Sequence, residues 1–132
     1  MINSEIIKIA LNTKNVGLTN KYNFKSNLKS SLCGDIIKLE LVVKNSKISS
    51  MKYETESCVY CEASASLLAA KVKNLKLSTV INELSMLKKV GSNKKLTFPR
   101  HFKDFKILIN KNNLKRIKCI NLPFDAVLKA LR

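Results

Sequence analysis

The chain is marked first by what it lacks. No apolar run approaches the ~20 residues needed to cross a bilayer, which excludes a membrane-spanning helix. No charged stretch followed by an apolar one opens the chain, as it would in a secreted precursor, so a cytoplasmic protein is the expectation. Arginine is scarce: of 25 Lys plus Arg, only Arg100, Arg116 and Arg132 are Arg. That disfavours nucleic acid as a partner, because Arg supplies the bidentate contacts to bases and phosphates. The aromatic residues also fail to interleave with the basic ones in a stacking pattern. His101 is the only histidine and is far in sequence from every cysteine. No Gly-x-Ser-x-Gly elbow surrounds Ser64 or Ser66, which therefore read as helix-packing residues and not as nucleophiles. No internal repeat or boundary divides the chain, so one domain over 1–132 is expected, large enough to build a core without staples.

What is present in excess is positive charge, 25 − 9 = +16. Two readings stand side by side: an AT-rich coding bias that raises Lys, Asn and Ile together, or a surface that docks an acidic partner. A basic polyanion-binding or RNA-binding module with a structural zinc is the competing functional class.

Four cysteines carry the chemistry: Cys33, Cys58, Cys61 and Cys119. Two disulfides, a metal site, a redox pair and packed core thiols are the alternatives. An intracellular chain argues against disulfides. The long separations fit no zinc finger or ribbon, whose ligands come in two short knuckles. Soft thiolates from three distant segments, joined by the harder carboxylate of Asp35, would suit zinc or iron and sulfur. Cys58-x-x-Cys61 has the spacing of a thioredoxin-like pair but lacks the βαβ context. Cys61 is read as a packed thiol, with a place as an alternative ligand to Asp35 left open.

The periodicities predict an α+β fold in which helices flank a small antiparallel sheet of about three strands. Residues 3 to 12 read as a short amphipathic helix, and 13 to 31 as a loop or irregular edge strand. Ile37, Leu39, Leu41 and Val43 alternate with polar residues, Asn45-Ser46 supplies a turn, and 47 to 55 return as the second strand of a hairpin. That topology places Cys33 and Cys58 at neighbouring ends of the hairpin. Residues 60 to 73, without Gly or Pro, form a helix that starts beside Cys58, where the dipole and free amides favour negative charge. Ser78 is expected to cap a helix over 79 to 89, Gly91 to Arg100 to form a loop, and 102 to 110 a short helix followed by a polar turn. A last helix begins near Cys119 with Pro123 in its first turn.

Cys33-Gly34-Asp35-Ile36-Ile37-Lys38-Leu39, the hairpin, Cys58 ahead of Ala63-Ser64-Ala65-Ser66, and Arg116-Ile117-Lys118-Cys119 ahead of Leu122-Pro123 resemble the IscU/NifU-type iron-sulfur cluster scaffold family. Asn12-Thr13-Lys14-Asn15-Val16-Gly17 is similar to the family's Asn-Pro-Arg-Asn-x-Gly. The SufU branch is the nearer match, since Lys118 stands where the IscU branch has His. The resemblance implies a scaffold or zinc-bound acceptor of persulfide sulfur from a cysteine desulfurase, acting by transient thiolate chemistry. It implies Cys33, Asp35, Cys58 and Cys119 as metal ligands, Cys33 as the sulfur-accepting thiol, and Lys118 and Arg116 just outside them. Zinc or a transient iron-sulfur cluster would be held, and a downstream carrier or apo-protein would receive the product. Leu32, Thr13 and Ser57 replace the family's Pro, Pro and Gly, which keeps a degenerate homologue among the alternatives.

Overall fold

A computed structural model of the chain describes residues 3–32, 34–92 and 97–132. Cys33, expected as ligand and sulfur acceptor, lies outside the described residues, as does part of the expected 91–100 loop. In chain order the elements are α1 (Ser4–Ala10), β1 (Phe24–Lys29), β2 (Ile36–Lys44), β3 (Lys47–Glu56), α2 (Val59–Lys71), α3 (Leu77–Val90), two 3₁₀ helices (Arg100–Ile107 and Lys111–Arg116) and α4 (Ile117–Ala130).

The sheet is antiparallel in the order β1-β2-β3, as expected for an α+β chain. Asn45 and Ser46 both adopt positive φ, 54° and 62°, the handedness that matches a two-residue hairpin turn to strand twist. Ile37, Leu39 and Leu41 of β2 and Ile48, Met51 and Tyr53 of β3 are buried on one face, where α2 and α4 cover them. β2 is central and β1 is one of the two edge strands. Ser26 of β1 points inward because the hydroxyl donates to the Ala126 carbonyl of α4 at 2.6 Å.

The small residues of α2 let α4 approach closely. Ala63, Ser64 and Ala65 are fully buried, and Ser64 Oγ donates to the Ile120 carbonyl at 2.6 Å. Phe105 of the first 3₁₀ helix packs edge-on to Phe124 of α4, with ring centroids 5.1 Å apart. Phe102 adds a tilted contact to Phe105 at 6.1 Å.

Three local expectations are corrected. α3 begins at Leu77, after Lys76 and not after a Ser78 cap, because the Leu77 amide donates to Ser46 O at 3.0 Å and so fixes the start from the hairpin turn. The region expected as a helix over 102 to 110 and a polar turn forms two 3₁₀ helices, the first kinked at Phe102. Pro123 lies inside α4, not in its first turn. It has no N–H to offer the carbonyl one turn back, and the Ser64 hydroxyl engages the next carbonyl along. No helix among the described residues is long and apolar enough to cross a membrane.

Candidate metal centre

Asp35, Cys58 and Cys119 arrive from three elements and meet at one corner. Asp35 ends a tight reversal between β1 and β2. The Ser30 amide donates to Asp35 O at 2.7 Å, and the Gly34 amide to Ser30 O at 3.1 Å. Gly34 has φ +72°, a left-handed conformation that glycine adopts without the cost a side chain would impose. Cys58 caps α2 with extended backbone and without a side-chain hydrogen bond to the helix. Cys119 lies in the first turn of α4.

One ligand atom from each of the three lies within 4.8 Å of the others. Around zinc, with bonds of about 2.0–2.3 Å, tetrahedral ligands stand roughly 3.3–3.8 Å apart, so the side chains need close by only about 1 Å. Asp35 and Cys119 are buried at 6% and 5% exposure, while Cys58 is half-buried. Asp35 Oδ1 accepts the Cys58 amide at 3.3 Å, which ties the carboxylate to the start of α2. Asp35 Oδ2 is buried without any hydrogen-bond partner among the described residues. A buried carboxylate oxygen ordinarily has one, since leaving it bare costs about 1–3 kcal/mol or more. Two thiols, an unsatisfied carboxylate oxygen and a surrounding of helix starts fit a divalent metal of the zinc or iron type.

The other sequence candidates fall elsewhere. Cys61 is fully buried on the core side of α2 and stands outside the group of three. His101 is drawn to α3, its Nδ1 2.6 Å from Glu83 Oε2 and its amide donating to Glu83 Oε1 at 2.8 Å. Lys118 is exposed. Arg116 places its guanidinium 5.8 Å from the centre of the Tyr60 ring, so a cation–π contact joins the first turn of α2 to the end of the second 3₁₀ helix, directly ahead of α4. The sequence gives no sign of that pairing, because no local pattern links Tyr60 to Arg116, 56 residues further on. Nor does it give any sign of the Ser64 bond that sets the spacing of the two cysteine-bearing helices.

The family model for the NifU-like N terminal domain matches residues 1–129. The fold is similar to that of the N-terminal NifU-like protein from Brucella abortus, with TM-score 0.86, 22% identity, and coverage of 98% of this chain and 91% of that one. It is also similar to FiSufU from Fervidobacterium islandicum AW-1, described as a candidate iron-sulfur cluster assembly scaffold protein for the SUF system. There the TM-score is 0.88 and the identity 22%, over 100% of this chain and 98% of that one. No curated protein matches the chain.

Proposed function

Because the chain belongs to the NifU-like N-terminal domain family, we propose that it is an iron-sulfur cluster assembly scaffold whose working site is the corner formed by Asp35, Cys58 and Cys119. The observation that carries this reading is a carboxylate oxygen of Asp35 within 4.8 Å of two thiol sulfurs, on a side chain whose buried Oδ2 has no hydrogen-bond partner among the described residues.

In the finer form of the proposal the protein is a zinc-dependent sulfur acceptor. Cys33, two positions before Asp35 in the chain, completes a four-ligand set with Asp35, Cys58 and Cys119. Bound zinc supplies a Lewis-acidic centre that keeps thiols deprotonated. Asp35, the hardest donor in a soft set, is the ligand most readily exchanged. Cys33 is the acceptor. Its thiolate attacks the outer sulfur of a persulfide on a cysteine desulfurase; a new S–S bond forms at Cys33, the donor's S–S bond breaks, and the donor cysteine leaves as thiolate. Sulfur received there, together with iron, is the cargo passed to a carrier or apo-protein. Lys118 and Arg116 act around the ligands, Arg116 by holding Tyr60 and with it the start of α2.

The test is elemental analysis of protein purified without oxygen, for wild type, Cys33→Ser, Asp35→Ala and Cys61→Ser. About one zinc per chain is expected, as in a closed four-ligand site, lost with Cys33 or Asp35 and kept without Cys61. Mass spectrometry after incubation with a cysteine desulfurase and cysteine should place a persulfide on Cys33. A chain that binds neither zinc nor iron in any preparation would overturn the reading in favour of a degenerate homologue.

A further inference from the structure

The corner has two flanks of opposite charge. On one side, next to Ile36, a cavity of about 450 Å³ is lined by Glu54, Glu56 and Glu62 together with Lys38. On the other, a groove of about 630 Å³ runs between residues 28–32 and one side of α4, and is lined by Lys29, Lys118, Lys129 and Arg132. All four of those cations are exposed. The single acidic side chain in the groove, Asp125, is held by Lys88 Nζ at 2.5 Å, so it does little to offset them.

The groove is also apolar. Leu28 and Leu122 line it, and Leu32 stands at its side with 67% of its surface exposed. It adjoins the corner along the chain at both walls: Lys118 directly precedes Cys119, and Leu32 lies shortly before Asp35.

We propose that this groove seats an acidic, extended segment of the sulfur-donating protein, with an apolar side chain of that segment packed on Leu32. The proposal rests on the reading of the corner as the place where sulfur is received. Charge complementarity selects the segment, since four cations attract carboxylates and speed encounter. The opposite flank, with Glu54, Glu56 and Glu62, repels the same segment and leaves one orientation across the corner. Leu32 separates a peptide from a nucleic acid: a sugar-phosphate backbone uses the cations but gains nothing from an exposed leucine.

The experiment measures fluorescence anisotropy of a labelled peptide carrying glutamates around one leucine, with the full chain, in parallel with an oligouridylate of equal charge. The peptide should bind, and binding should collapse near 1 M salt, where the screening length falls to about 3 Å. Lys29→Glu combined with Lys118→Glu should weaken it by at least about tenfold, and Leu32→Ser by about three- to tenfold. Lys103→Glu combined with Lys106→Glu, on the first 3₁₀ helix, should leave it unchanged. The peptide should also slow sulfur transfer from a cysteine desulfurase.

Equal losses in the groove and 3₁₀ variants, or an oligouridylate that binds more tightly and ignores Leu32→Ser, would overturn the proposal. Two failures can be told apart on the same samples. A chain that takes zinc and sulfur normally, while its groove variants bind peptide like wild type, loses the groove and keeps the function. A chain whose groove variants lose the peptide, but which takes no metal or sulfur, keeps the groove and loses the donor.

Discussion

Helix α4 passes through two neighbourhoods with opposite priorities. Near its start Cys119 meets Cys58 and Asp35, and a buried carboxylate oxygen goes without a hydrogen-bond partner among the described residues. About a turn further on, Phe124 packs edge-on against Phe105, and Phe102, Phe105 and Phe124 are all fully buried. The aromatic region buries its three rings completely, as a core does. Among the described residues the corner leaves that oxygen bare, an arrangement that ordinarily costs about 1–3 kcal/mol. The difference is the reason the proposed site is assigned to the start of the helix and not to its packed middle.

The contrast can be broken from either end. Phe105→Ala should have the largest effect, lowering unfolding free energy by about 3–5 kcal/mol in urea titration. The folded fraction should retain the wild-type metal content, because Phe105 touches none of the three ligands. Asp35→Ala should do the reverse. The metal-free variant should unfold within about 1 kcal/mol of wild type, since the lost Cys58 amide bond is offset by removal of an unsatisfied oxygen. Zinc at a hundred times its dissociation constant should stabilise wild type by about 2.7 kcal/mol and the variant not at all. A metal-free Asp35→Ala protein as damaged as Phe105→Ala would mean that the corner is a structural site.

The link between the two regions is Ser64. Ser64→Ala should cost about 1–2 kcal/mol by removing the buried bond to the Ile120 carbonyl and should loosen metal binding, because that bond sets the distance between α2 and α4. Ser85→Ala removes an exposed bond of similar length to Ile81 and should change neither. Equal effects of the two substitutions would remove Ser64 from the account.

The smallest effect concerns Tyr53, under the sheet. Burial pushes its phenol above the ordinary value of 10.0, partly opposed by a hydrogen bond with Ser66. The neutral form is therefore favoured in the folded chain. Its contribution is whole below the unfolded value and is lost as pH rises past it, because only the unfolded chain ionises there readily. Unfolding midpoints compared at about pH 9 and pH 11 should fall for wild type and fall less for Tyr53→Phe. Parallel slopes would show that Tyr53 carries none of the alkaline loss.

How much of this was legible depends on whether neighbours in sequence or neighbours in space made the decision. The hairpin was readable because alternation of Ile37, Leu39 and Leu41 with polar residues is a local signal and Asn45-Ser46 tolerates the positive φ the turn requires. α2 was readable from a stretch free of Gly and Pro. β1 was only half readable, because Ser26 faces inward for the sake of a carbonyl on α4, distant in the chain. The start of α3 was misplaced for a similar reason, since the hairpin turn and not Ser78 holds it. The 3₁₀ helices follow the packing of Phe102 and Phe105 and leave no clear period.

At the candidate site, the sequence supplied residue types that can bind a metal. Thiols at Cys58 and Cys119 with a carboxylate at Asp35 suited a metal, and resemblance to the scaffold family, now supported by the match over residues 1–129, put them in one set. Composition also fixed the excess of positive charge. Only the tertiary structure decided that α2 and α4 lie close enough, through Ser64 and Ile120, to bring two cysteines to one carboxylate. It also decided that Cys61, one helical turn from Cys58, goes to the core, and that the charge around the corner divides into a basic groove and an acidic cavity. Residue identity sets what a side chain can bind, but proximity between distant segments depends on how helices pack, and no local pattern in the chain encodes that distance.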